Sequence, residues 1–471
     1  MKISHVSHPQ HGSFEAGQKR MMGVHAQVDE LVDFNAVISP DPLKHAFDSK
    51  VTVHAHLGEM PLMGQQAREA IEYQHNFNRE GTGLAYIHVP FCETRCLYCL
   101  FYQNPLQEDS SQRYTDAVIK ELQLWHSKNA QTNGLIHAVY FGGGTPTALQ
   151  AHDLKRLVLA VKQYLPLAND CEITLEGRIY KFSESKMEAA FEAGVNRVSL
   201  GVQSFNAQVR QTMRRVDGRE TMISTIEKLA SFNQASIVCD LIYGFPFQSM
   251  EIWEDDIRTA MSLPLDGVDC YQLNIFEKSP LGKFIANGKL PAGADKGQRG
   301  EMFAKSIELL SAGQWRRLSN NHWGQTFRER NIYNRFGKGA SDCLAFGSGA
   351  GGRLHGFSYM IERKYEEWER MILAGEKPIA FATKPTSYWK ALRTISSEME
   401  LGRINMKLLS EEFSLPLDRL SEDVFQQWIS AGLIESMDGW MVQTVAGQFW
   451  HVTMSQLLIN VLKQRLSQGQ F

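Results

Sequence analysis

Tyr86-Ile87-His88-Val89-Pro90-Phe91-Cys92-Glu93-Thr94-Arg95-Cys96-Leu97-Tyr98-Cys99 is the stretch that decides the fold. Three of the chain's 7 cysteines fall in it, spaced C-x3-C-x2-C. The apolar run from Leu84 to Phe91 reads as a buried strand, and the thiols follow on the loop at its C-terminal end, where α/β folds collect their ligand sites. Three thiolates at this spacing can hold three irons of a [4Fe-4S] cluster and leave the fourth iron open to a substrate. The alternatives are zinc and a disulfide. Structural zinc takes four ligands, usually from two C-x2-C knuckles, and no second knuckle is present. A disulfide needs an oxidising compartment. The first residues do not read as a secretory signal, and Cys171, Cys239, Cys270 and Cys343 stand singly among apolar or small residues, as reduced core cysteines do.

Outward from this loop, strand and helix patterns alternate six times. Apolar runs lie at Leu84–Phe91, Leu135–Phe141, Cys171–Leu175, Arg197–Val202, Ile237–Tyr243 and Val268–Ile275, with helical periodicity between them. Ser110 or Ser111 is expected to cap the helix bearing Tyr114, Val118, Leu122 and Trp125. This alternation predicts an α/β fold, a partial (β/α)6 barrel over 84–280 whose right-handed crossovers gather all C-terminal strand ends at one mouth. Residues 1–83 read as an N-terminal extension rich in histidine, with a helical pattern over Met63–Asn76. Residues 281–375 read as a segment covering the barrel, and 376–471 as a helical, winged-helix-like domain.

Polar residues follow the apolar runs at the expected mouth. The second run ends in Gly142-Gly143-Gly144-Thr145-Pro146, and three glycines in a strand make sense where the backbone must be closely approached or adopt positive φ. No Gly-Lys-Ser/Thr follows, so a P-loop is not indicated. Glu176, Gln203 and Asp240 end or occupy the third, fourth and fifth runs. Singly each reads as a capping or salt-bridge residue; together they suit a nucleoside, whose ribose hydroxyls bond to carboxylates.

Cys-x3-Cys-x-aromatic-Cys, with Tyr98 as the aromatic, resembles the signature of radical S-adenosylmethionine (SAM) enzymes. The prefix Tyr-Ile-His-Val-Pro-Phe resembles the branch holding oxygen-independent coproporphyrinogen III dehydrogenase, its heme-chaperone relative and the anaerobic heme-utilisation (heme-degrading) radical SAM methyltransferases, most of all the last. The resemblance implies a [4Fe-4S] cluster on Cys92, Cys96 and Cys99, and two molecules of S-adenosyl-L-methionine. It carries SAM-binding roles onto Tyr86, Gly143, Gly144, Thr145, Glu176, Gln203, Arg215, Asp240 and Ile242, with Gln203 to Arg215 spaced as in Gln-Ser-Phe-Asn-x8-Arg. Arg215 and Asp240 are also catalytic candidates. The implied reaction starts with a 5′-deoxyadenosyl radical, continues with methyl transfer to a heme meso carbon, and ends with ring opening and release of iron. A low-potential electron donor, such as a flavodoxin or flavin-type reductase, is the expected partner.

The sequence departs from two of these relatives. The dehydrogenase has a further cysteine two positions after the motif, whereas this chain reads Leu100-Phe101; the chaperone's His-Asn-x-x-Tyr-Trp is replaced by Arg330-Asn331-Ile332-Tyr333-Asn334-Arg335. Gly177-Arg178-Ile179-Tyr180 replaces a proline-containing turn.

Between Gln314 and Gly339, arginines (Arg316, Arg317, Arg328, Arg330, Arg335) interleave with aromatics, a pattern suited to a flat porphyrin with two propionates or to a solvated loop over a core. His322 is the candidate iron ligand or proton donor there. His54 and His56 are alternative heme ligands, while His5, His8 and His11 read as a loose tract. A net charge of −3, from 49 basic against 52 acidic residues, argues against nucleic acid as a partner. No run reaches the ~20 apolar residues of a membrane span. The expectation is a cytoplasmic monomer.

Overall fold

The computed structural model describes residues 32–52, 55, 57, 60–99 and 101–469. Six parallel strands lie side by side in chain order: β1 (Gly83–Val89), β2 (Ile136–Gly143), β3 (Leu167–Gly177), β4 (Arg197–Gln203), β5 (Ser236–Tyr243) and β6 (Gly267–Gln272). Helices α1 (Ser110–Leu124), α2 (Ala151–Tyr164), α3 (Glu184–Ala193), α4 (Arg219–Ser231) and α5 (Met250–Ser262) fill the crossovers. The expected α/β barrel core is therefore present, with strand ends within a few residues of the apolar runs.

The sheet extends beyond it. Asp342–Phe346 pairs in parallel with β1, a seventh parallel strand that the alternation did not foretell because the chain reaches it only after a long excursion. Antiparallel strands widen both edges to 13 strands, and the sheet stays open, ending at Met60–Met63 on one side and Arg316–Arg317 on the other.

Side chains alternate across these strands with a period of two. Ile87, Val89, Phe141, Leu175, Leu200 and Leu241 are all 0% exposed and face the helices. Burial of each such side chain contributes roughly 1.5–3 kcal/mol. The opposite face, which lines the barrel, bears Tyr86, Tyr140, Glu176, Gln203 and Asp240, all half-buried. A polar interior that water reaches from the mouth, inside an apolar shell, is what positions the site.

Three local expectations need correction. Asp109, not Ser110 or Ser111, is the N-cap of α1; the Ser111 hydroxyl instead donates to Asp153 at 2.7 Å. From sequence spacing Met360 to Ala374 reads as one helix, but the chain there is first a strand, Phe357–Ile361, and then a helix, Tyr365–Leu373. The described part of the N-terminal extension is not merely solvated: Ala46, Ala67 and Ile71 are 0% exposed, and Phe34 and Leu43 carbonyls accept from the Trp428 and Trp450 indoles at 3.0 and 3.1 Å. His5, His8, His11, His25, His54 and His56 lie outside the described residues.

The C-terminal part holds helices Met406–Phe413 and Glu422–Ser430 and a hairpin, Ile434–Met437 with Trp440–Gln443, completed by Arg403–Ile404. Helix α6 (Lys296–Ala312) packs on α5, and the long α7 (Val445–Ser467) packs on the helix Trp389–Glu400. Among the described residues no helix is long and apolar enough to cross a membrane.

Candidate active site at the mouth of the barrel

The cysteine loop leaves β1 at its C-terminal end and is tied down on three sides. Leu106 N–H donates to the Cys92 carbonyl at 3.2 Å, Leu97 N–H to Met213 at 3.4 Å, and Leu281 N–H to the Leu97 carbonyl at 3.1 Å. Arg178 Nη1 reaches the Thr94 carbonyl at 3.0 Å and Lys181 pairs with Glu93 at 3.0 Å. Each sulfur has its own polar neighbour. The Thr145 hydroxyl lies 3.4 Å from Cys92 Sγ, Arg215 Nη1 lies 3.8 Å from Cys96 Sγ, and Phe101 N–H donates to Cys99 Sγ at 3.3 Å. Burial pushes the Cys92 thiol up to about 11, with the Thr145 hydrogen bond acting against it. No set of three ligands among the described residues is close enough to cage a single metal ion.

The glycine run adjoins this loop. A Cβ on Gly144 would meet the Phe91 carbonyl oxygen at 2.4 Å, so the strand passes against the start of the cysteine loop with no room for a side chain. Gly143 has φ +106° and donates its N–H to Glu176 Oε2 at 3.3 Å. Burial lifts the Glu176 carboxyl to about 7, opposed by that N–H. At the end of β4 the backbone is strained: Gln203, a non-glycine residue, has φ +75°. Its Oε1 is buried and has no partner, while a Cβ on Gly201 would meet Gln203 Nε2 at 2.8 Å and Arg215 Nη2 at 3.2 Å. Arg215 Nη2 donates to the Gly201 carbonyl. Gly201, Gln203 and Arg215 thus form one crowded corner, its guanidinium between the strand and Cys96.

Tyr86 and His88, on the inner face of β1, are linked at 3.0 Å, and Gln103 holds the other ring nitrogen of His88 at 3.1 Å. Burial, then the Arg363 charge, pulls His88 down to about 4, so the imidazole is neutral. The cysteine stretch contains His88, but nothing in its spacing foretold a role.

Asp240 stands beside Asp269 across the β5–β6 ladder and accepts from the Ser199 hydroxyl at 3.1 Å. Burial, then the Asp269 charge and the Glu176 charge, hold the Asp240 carboxyl well above the usual carboxylate range. Behind it runs a sealed chain of charges. His322 sits on the antiparallel strand next to β6, opposite Asp269 and 2.8 Å from it, with Glu329 at 2.9 Å on its other nitrogen. Glu329 also takes Arg197 Nε at 3.1 Å and the Ser236 hydroxyl at 2.7 Å. Burial pulls His322 down, but Asp269 and Glu329 outweigh it and set it at about 9; Glu329 falls to about 2 because Arg197 and His322 outweigh its burial. At 1% exposure, His322 is enclosed within this network.

The arginine–aromatic segment lies at the opposite end from the cysteines. Arg328 bonds the Ala235 carbonyl at 2.7 Å, directly before β5, and Arg330 the Asp170 carboxylate at 3.1 Å, in the N-terminal half of β3. Ile332 N–H donates to Glu172 at 2.9 Å, and Tyr333 stacks on Tyr140 and Tyr86. This segment plugs the bottom of the barrel; spacing alone could not say at which end it would sit.

A model of the radical SAM superfamily matches residues 86–260. The chain is 38% identical over 414 residues to a protein of Escherichia coli O157:H7 named anaerobilin synthase, covering 86% of this chain and 90% of that one. The chain belongs to the radical SAM superfamily. It is also 26% identical over 370 residues to the heme chaperone HemW of Bacillus subtilis (strain 168), covering 77% of this chain and 96% of that protein. Among solved structures, coproporphyrinogen III oxidase (HemN) of Escherichia coli superposes with a TM-score of 0.74 at 18% identity, over 90% of this chain and 99% of that one, which establishes a common fold.

Membership of the radical SAM superfamily implies a [4Fe-4S] cluster and SAM, and the residues fit both. Three thiols on one pinned loop, with Arg215 beside Cys96, suit an anionic thiolate cluster, whose bulk holds its ligands farther apart than a single ion does. The orphaned Gln203 Oε1, the Asp240 carboxyl on β5 and the glycine cradle offer polar groups and close backbone approach to an amino acid and a ribose.

Proposed function

We propose that this radical SAM enzyme methylates heme and opens its macrocycle under anaerobic conditions, releasing iron. The observation that carries the reading is the 38% identity to anaerobilin synthase, which runs over 86% of the chain and so includes the parts outside the barrel. When bound to a cluster, SAM supplies a 5′-deoxyadenosyl radical on one-electron reduction.

The chain's own residues then have separable tasks. Cys92, Cys96 and Cys99 are the proposed iron ligands, and Arg215 offsets their negative charge from 3.8 Å. Gly143 and Gly144 let the amino-acid end of SAM approach the backbone, with Thr145 fixed on Cys92. Glu176, its carboxyl lifted to about 7 by burial, can donate to or accept from a ribose hydroxyl, Asp240 offers a second carboxyl to the ribose, and Ile242 offers an apolar face to the adenine. Tyr86 presents its phenol from β1, held by His88. His322 acts on this site through Asp269, from behind Asp240, and takes no direct part with substrate.

Two rivals are less well supported. Decarboxylation lacks the extra cysteine, for Phe101 stands there. Carriage of heme by a chaperone-type motif lacks its histidine, and Arg330–Arg335 lies at the closed end of the barrel. One anaerobic incubation of reconstituted protein with heme, methyl-labelled SAM and a low-potential reductant separates the three. A tetrapyrrole that carries the label and has lost iron supports the reading; unchanged heme with intact SAM contradicts it, and release of carbon dioxide from the propionates points to the dehydrogenase.

A further inference from the structure

Beside β6 lies a cavity of about 510 Å³ that the SAM constellation does not use, a volume within the range of small-molecule sites. Gln272, Asn274 and Phe276 line it as the chain leaves β6 at the mouth end. Its other walls come from α6, α7 and residues 48–52.

Three cations face this space: Lys50, Lys296 and Arg299. Lys296 is the first residue of α6 and Arg299 is in its first turn, where the helix dipole disfavours positive charge. Their contacts are carbonyl oxygens and rings. Lys296 Nζ bonds the Phe47 carbonyl at 2.9 Å, Arg299 Nε the Asp295 carbonyl at 3.2 Å, and Lys50 Nζ lies 4.8 Å from the Phe449 ring centre. The N-cap Asp295 carboxylate is taken by Gln298 N–H at 2.8 Å, and among the described residues Asp48 is the single acid in the lining. Burial and then the Arg299 charge pull Lys50 down to about 7, although Glu400 acts the other way. Phe276 adds half-buried aromatic surface, backed by the edges of the buried Phe449 and Trp450 at 2% and 1% exposure. Clustered cations held against aromatic walls fit a ligand that is flat and apolar with carboxylates along one edge.

We propose that Lys50, Lys296 and Arg299 receive the propionate carboxylates of the tetrapyrrole and so orient the macrocycle toward the mouth. This rests on the heme reading above. It moves the carboxylate-binding role from the Gln314–Gly339 arginines, which brace the bottom of the barrel, to residues whose sequence surroundings carry no motif.

The test uses the anaerobically reconstituted full chain, with heme and its dimethyl ester as probes, followed by absorbance titration. The wild type is expected to bind the free acid at least tenfold more tightly than the ester, since each charge-assisted pair is worth about a factor of ten or more. Lys296→Met/Arg299→Met should bring the two affinities within about twofold, mainly by weakening the free acid. Lys50→Met is the second variant, expected to narrow the gap in part, and Arg299→Lys should retain it. Equal binding of acid and ester by the wild type, or full discrimination in the folded double variant, would overturn the subsite and leave the heme reading standing. A wild type that binds neither probe would overturn both.

Discussion

Gly144→Ala is the perturbation whose consequence the geometry defines most closely. The added Cβ would stand 2.4 Å from the Phe91 carbonyl oxygen and 2.9 Å from that of Val89. Ordinary contact begins near 3.4 Å, so one backbone must yield by about 1 Å, and neither contact is a flexible side-chain end. Phe91 precedes Cys92 directly, and Gly144 N–H donates to Val89 at 2.7 Å, so the loop cannot move without disturbing that bond. Overpacking of this kind costs roughly 1–3 kcal/mol in stability. Displacement of a reacting centre by ~1 Å costs about 100-fold in rate. The assay is reductive SAM cleavage by reconstituted protein, read as 5′-deoxyadenosine, with iron content and thermal midpoint measured alongside. Gly218→Ala serves as control, since its Cβ would meet nothing within 4 Å. A Gly144→Ala protein with wild-type iron content and wild-type cleavage would refute the argument that this glycine keeps the cysteine loop in place.

Three further outcomes follow from the site. Glu329→Ala should destabilise the fold by about 3–5 kcal/mol, because it leaves Arg197 and His322 buried with no shared carboxylate, as a denaturant titration would register. The same network sets a pH window. The contribution of His322, raised from 6.5 to about 9, is full below pH 6.5 and is lost as pH rises through 9, whereas that of Glu329, lowered from 4.5 to about 2, is full above 4.5 and is lost as pH falls through 2. The denaturation midpoint of the wild type should therefore fall on the alkaline side, and that of His322→Gln should fall less. Glu176→Ala should weaken SAM binding roughly tenfold in equilibrium dialysis at pH 7, since it removes the half-buried carboxyl held by the Gly143 N–H, the proposed ribose partner.

The barrel was legible because its signals are local and periodic. Apolar runs of strand length with helical spacing between them located β1 to β6 to within a few residues at each end, and the cysteine motif marked their C-terminal end. Asp342–Phe346 was hidden because a parallel partner is chosen by topology, and nothing in its five residues names β1 as neighbour. The mouth residues Glu176, Gln203 and Asp240 were found because they end or occupy apolar runs, and Arg215 because the family resemblance carries its role to that position. His322 and the arginine-rich segment were found by residue type alone. Such reading reports which groups are chemically able but not which face or end they occupy; the fold turns His322 into a buried partner of Glu329 and sets Arg330 against Asp170 at the base. Lys50, Lys296 and Arg299 lie almost 250 residues apart at the extremes, and only packing of the N-terminal segment on α6 and α7 assembles them.

The central claim is that Cys92, Cys96 and Cys99 together hold a [4Fe-4S] cluster with one iron open to SAM. Iron and acid-labile sulfide, measured on anaerobically reconstituted wild type and on Cys92→Ala/Cys96→Ala/Cys99→Ala, test it most directly. The account expects about four of each per wild-type chain, close to none in the triple variant, and 5′-deoxyadenosine formed only by the wild type. Undiminished iron and sulfide in the triple variant, or none in the wild type, would contradict it.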